Sequence, residues 1–174
     1  MSDTNPLKKY CLWGAVIVSI LGTLSHFVYD WTGQNPLAAV FFPVSESTWE
    51  HMKLLFFPML LYVLLAAPGL KEEYPRILPA SFAGILLGVS LIPVLFYTYS
   101  GILGKNYAAV DIAIFYVSVI AAFLLTYRLG VSGKPASRRY GLILTAAVIL
   151  LFAAFAVFTF YAPALGIFAD PTGS

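Results

Sequence analysis

Five stretches of this chain, at about residues 10–29, 48–67, 77–100, 108–129 and 140–161, reach the roughly 20 apolar residues that a helix needs to cross a bilayer. Backbone surrounded by hydrocarbon must satisfy its own hydrogen bonds, and runs of this length do so as helices. The expectation is an all-α polytopic membrane protein: a bundle of five transmembrane helices in one domain spanning residues 1–174. Composition agrees, with 60% of residues hydrophobic and 10% charged, against about 25% charged in soluble domains. Lys8 and Lys9 precede the first run as they would in a signal peptide, but no small-residue cleavage site follows, which points to an uncleaved first span. Cys11 is the single cysteine, so no internal disulfide can form.

Five crossings put the two termini on opposite sides. Alternating the connections places Lys8, Lys9, Lys71, Arg76, Arg128, Lys134, Arg138 and Arg139 on one side and only Lys53 and Lys105 on the other. By the positive-inside rule the N-terminus is cytoplasmic and the C-terminus outside. Acids sort oppositely, with Asp30, Glu46, Glu50, Asp111 and Asp170 at the outer side. The basic patch from Arg128 to Arg139, broken by Gly130, Gly133 and Pro135, sets topology and meets anionic headgroups. Membrane lipids, not nucleic acid, are the expected partners. Trp13, Trp31 and Trp49 read as interface anchors. Ser81, Gly84 and Gly88 form a small-residue face for a neighbouring helix, and Pro58, Pro79 and Pro93 should bend or interrupt their helices.

Polar chemistry concentrates in residues 43–53. Ser47 with Glu50 three positions on is a capping box, so a helix should begin there. From Leu54 to Ala67 that helix covers only about 21 Å of a core roughly 30 Å thick, so the turn bearing Glu50, His51 and Lys53 must be partly sunk. In the first span Ser19, Thr23, His26 and Asp30 follow a 4-3-4 spacing and share one helix face. Asp111 should lie at a similar depth in the fourth span. Ionisable groups near a helix centre in lipid cost on the order of 2.5–3.5 kcal/mol each and persist where they face one another, water or an ion.

The residue types suit a borderline divalent ion such as zinc, with His26, Asp30 and His51 as donors and Glu50 and Asp111 as catalytic carboxylates. Lys53 and Glu46 stand as substrate-binding residues, Lys53 by holding an anionic headgroup. The competing readings are structural: Glu50 as only the capping partner of Ser47, Glu46 as favouring the positive helix end, and Lys53 as snorkelling or pairing with Asp30 or Glu50. A proton relay uses the same groups, since histidine titrates near neutrality.

Ser-His-Phe-x-Tyr-Asp-Trp (residues 25–31), Asn35-Pro36, the run 42–53 with its Glu-Ser-x-Trp-Glu-His core, and Phe168-Ala169-Asp170-Pro171 resemble a domain-of-unknown-function family of small bacterial multi-pass membrane proteins. The resemblance covers the whole chain and departs at Ser45, where the family pattern has Asn, and at Ala162, where it has Pro. It implies a place in the bacterial cytoplasmic membrane and a shared outer-face motif, and brings no activity with it. Glu72-Glu73-Tyr74-Pro75-Arg76 is similar to the paired glutamates of membrane-embedded abortive-infection and prenyl-protein proteases, but the spacing to Arg is one short and no histidine follows. Three functions stay open: an outward-facing His/carboxylate site that binds a divalent metal or protons and acts on a lipid or small solute; a small transporter or accessory subunit, needing a homodimer or a membrane partner subunit; and a non-catalytic scaffold. By sidedness, the segment after Pro163 is expected to fold back over the outer mouth.

Overall fold

The computed structural model describes residues 5–132 and 135–170. Expectations resting on Gly133, Lys134 and Pro171 lie outside those residues. Each expected span is a helix, and no strand occurs among the described residues. The helices are α1 (Pro6–Trp31), α2 (Pro36–Phe41), α3 (Thr48–Ala66, continued by a 3₁₀ turn Ala67–Leu70), α4 (Ile77–Leu103), α5 (Ala108–Gly130) and α6 (Arg138–Phe158). All except α2 are long and apolar enough to cross a membrane. Large apolar side chains such as Leu12, Ile20, Leu65, Ile102 and Leu150 cover their outer faces, which fits a membrane protein.

The helix starts have local causes. Asn5 and Asn35 cap α1 and α2 by accepting the Leu7 and Leu37 backbone N–H at 2.9 and 2.8 Å, and each is followed by Pro at the first helical position. Ser137 caps α6 and Ser47 caps α3. Gly104 ends α4 at φ +72°, a left-handed cap that a Cβ would strain. The prolines do not interrupt their helices. Helices α3 and α4 run unbroken through Pro58 and Pro93, and Pro79 sits in the first turn of α4, where no backbone donor is required.

Packing is tightest where side chains vanish. A Cβ on Gly84 would collide with the Thr126 hydroxyl and the Ala122 carbonyl, and one on Gly88 would lie 2.9 Å from the Ala122 Cβ, so α4 lies directly against α5. Tyr10 meets Ser81 at 3.2 Å beside that seam. Helix α6 is the most peripheral span and leans on α3 through aromatic rings, with Phe155 4.8 Å from Trp49 and 5.1 Å from Phe56. Trp49 is therefore a core residue, 9% exposed, and not the interface anchor expected. Trp13 and Trp31 are exposed. At one end of the bundle Tyr74 donates to Asn5 and Leu7 packs against Gly130; the polar residues of 43–53 gather at the other.

Gly84→Val should destabilise the fold by about 1–3 kcal/mol, because neither the carbonyl nor the seam can retreat. Gly101→Ala, where a Cβ meets nothing within 4 Å, should leave thermal unfolding in detergent unchanged. Equal unfolding midpoints for the two variants would refute the close-approach account.

Candidate functional site

A buried ion pair organises the polar end. Lys53 is fully buried, and its ammonium spends its three N–H donors on Glu50 Oε2 at 2.7 Å, the Ala39 carbonyl at 2.9 Å and Thr159 Oγ1 at 2.5 Å. Glu50 is 3% exposed and its Oε2 also accepts the Val44 backbone N–H at 3.0 Å. One cation thus joins α2, α3 and the end of α6, while its carboxylate partner holds the segment leading into α3. Only half of the expected capping box forms. Ser47 Oγ accepts the Glu50 N–H at 3.3 Å, but the Glu50 side chain turns inward, and the Ser47 N–H goes to Ser45 Oγ at 3.4 Å instead.

Successive helical residues point about 100° apart, so His51 faces away from Glu50 and toward α1. There the backbones come close. A Cβ on Gly22 would lie 2.5 Å from the Leu54 carbonyl oxygen, and His26 stands one turn beyond Gly22 as His51 stands one turn before Leu54. The imidazole centroids are 5.5 Å apart. Glu46, in the segment before α3, places Oε1 3.4 Å from His26 Nε2 and Oε2 3.3 Å from His51 Nε2. The donor atoms of these three residues all lie within 4.8 Å of one another, the only such group of three or more among the described residues. All three side chains are partly exposed. The hydrogen bond with His51, together with electrostatic attraction to His51 and His26, holds the Glu46 carboxyl below its ordinary value despite partial burial.

The tail supports this loop. Asp170 accepts the Glu46 backbone N–H at 3.1 Å, Phe168 packs 5.0 Å from Trp49, and Tyr97 donates to the Gly166 carbonyl at 2.9 Å. The segment after Pro163 does return over this end of the bundle.

A cavity of about 520 Å³ opens beside the cluster, between α1, α3, α4 and α5. His26, Glu46 and His51 line it together with Asn106 and Asp111, and its walls are apolar, among them Leu54, Ile92, Phe96 and Phe115. Asp111 accepts from the Tyr99 hydroxyl and from Asn106 Nδ2 at 3.2 Å, which closes the turn between α4 and α5. Thr23 on α1 meets Tyr116 on α5 at 3.1 Å, and both also line the cavity.

The structure therefore brings together His26 and His51, with Asp111 on the same cavity. It does not bring Asp30 or Glu50 into the donor group. Asp30 is exposed one turn beyond His26, and Glu50 is committed to Lys53. Pairing with Glu50 leaves Lys53 with no free donor for a headgroup. The carboxylate beside the histidines is Glu46, which had been read as a substrate-binding residue or a helix-end charge. Its signal lay in the loop: a residue just outside a helix can swing back over the first turn, whereas Glu50 is fixed on a helix face.

The model of a family of unknown function, DUF6512, matches residues 1–174, and the chain belongs to that family. No curated protein and no solved structure matches it.

Lys53→Met strands a buried carboxylate and should cost about 3–5 kcal/mol. Adding Glu50→Gln should recover part of that loss in a double-mutant cycle by chemical denaturation, and strictly additive effects would contradict the pairing. Because the Glu46 carboxyl is lowered, its contact with the histidines is complete above pH 4.5, its ordinary value, and is lost as pH falls through the lowered one. Carboxyl ¹³C titration of labelled protein should show Glu46 titrating at higher pH in His51→Ala than in wild type; an unmoved midpoint would remove His51 as the cause.

Proposed function

We propose that this DUF6512 protein is an integral membrane protein with its N-terminus inside, whose outward-facing end binds a divalent metal ion, such as zinc, through His26, Glu46 and His51 and acts on a lipid or small solute. One observation carries the reading. Two histidines from different helices and a loop carboxylate converge at the mouth of a cavity large enough for a ligand. Two histidines and a glutamate are a known donor set of catalytic zinc, which keeps a coordination position open. Each histidine faces a different Glu46 oxygen, at 3.4 and 3.3 Å, and one donor atom from each of the three residues lies within 4.8 Å of the others; tetrahedral legs of about 2.0–2.1 Å need edges of about 3.3–3.4 Å, so a bound ion would draw the three donors closer together. The orientation rests on the excess of Lys and Arg at the opposite end.

In a hydrolytic reaction the bound ion would supply an activated water. The chain's own part is to bind and to handle protons. Asp111, held by Tyr99 and Asn106 on the same cavity, is the carboxylate placed to take or return a proton. Asp170 positions the Glu46 backbone, and the Lys53–Glu50 pair fixes the segment that carries it.

Purified wild-type protein should hold about one divalent ion per chain by elemental analysis, and His26→Ala and His51→Ala should lose it. In sealed right-side-out vesicles, the membrane-impermeant chelator EDTA should strip the ion. Metal-free wild type would overturn the metal reading and leave a carboxylate-bridged histidine pair that stores protons; an ion released only after vesicle lysis would overturn the orientation.

A further inference from the structure

The donor cluster occupies only the mouth of its cavity, and the remaining space has a chemistry of its own. Below the rim, Leu54, Ile92, Phe96, Ile114 and Phe115 form the walls, and Ile92 and Phe115 belong to the buried core. The Thr23–Tyr116 hydrogen bond ties α1 to α5 beside the same cavity. Phe27 on α1 and Ile112 on α5 line the space too, yet they are 48% and 58% exposed. Both residues therefore line the cavity and also reach the surface of the bundle, one from each side of the α1–α5 contact. Both helices are long and apolar enough to cross a membrane, so in a bilayer that surface faces lipid.

We propose that the cavity admits one apolar chain of a membrane lipid sideways, between α1 and α5, and sets the lipid's polar head against the His26, Glu46 and His51 rim. This names the substrate class of the site proposed above and rests on that reading of the rim. A small, strongly polar solute would gain little from phenylalanine and isoleucine walls. A lipid chain already in the bilayer needs no transfer through water to reach them, and the ionisable groups of the lining, His26, Glu46, His51 and Asp111, lie toward the end where its head would sit.

The test uses the full chain in dioleoylphosphatidylcholine vesicles with a trace of palmitoyl lysophosphatidylcholine carrying a diazirine in its chain. Photolysis should label Leu54, Ile92 or Phe115, and excess unlabelled palmitoyl lysophosphatidylcholine should compete that labelling away. Ile112→Trp, at the exposed lip, should reduce it by about tenfold or more while metal content stays at the wild-type level. Label confined to outward positions such as Leu12 or Ile149, without saturation, would overturn the lipid inference even where metal is bound. Saturable cavity labelling in a protein that holds no metal would support the lipid site and overturn the metal reading alone.

Discussion

A lysine ammonium and a glutamate carboxylate buried side by side in an apolar bundle constrain this fold more than any other contact. Each ion alone would cost several kcal/mol to remove from water, so neither tolerates the other's absence. Their geometry is saturated: Lys53 reaches α2, α3 and the end of α6, and Glu50 reaches both the cation and the Val44 amide. The segment from Val44 to Ser47 consequently has one path, and that path carries Glu46 toward α1. Turning Glu50 inward also turns its neighbour His51 outward, since the helix allows no other relation between them.

The absence of side chains does the complementary work. At Gly22 the α1 backbone comes against the Leu54 carbonyl, which sets His26 beside His51, and at Gly84 and Gly88 helix α4 settles onto α5. The cavity remains between these close approaches, walled by the larger side chains Phe96 and Phe115. Rigid seams on both sides account for a ligand-sized space inside a chain of only 174 residues.

The five long helices are legible because a helix that is to cross a bilayer needs about 20 mostly apolar residues, and five runs of that length stand in the sequence. Facing of helical residues was legible too, which is why His26 and Thr23 were placed on one polar stripe and His51 at the same level. Periodicity stops at the helix boundary and says nothing of the direction of a side chain beyond it. Glu46 lies outside α3, where its direction follows from Lys53, Glu50 and Asp170, contacts that link residues up to 124 positions apart. Asp30 had the favourable i,i+4 spacing from His26 but continues up the helix into an exposed position. The short helix α2 carried a local signal, Asn35-Pro36, identical to the Asn5-Pro6 pair that opens α1. Trp49 differs for another reason: an amphipathic ring suits the interface, and it takes the returning Phe168 with Phe155 and Phe158 of α6 to bury it.

The hydrogen bond from Glu46 to Asp170 orders events in time as well as in space. Asp170 follows all five long helices, so the loop between the first two receives its last restraint only after the final helix has been made. Until then Glu46 lacks its backing, and a nascent chain with α1 and α3 already in place holds an unfinished centre. The loop that carries Glu46 is therefore fully braced only in the completed bundle.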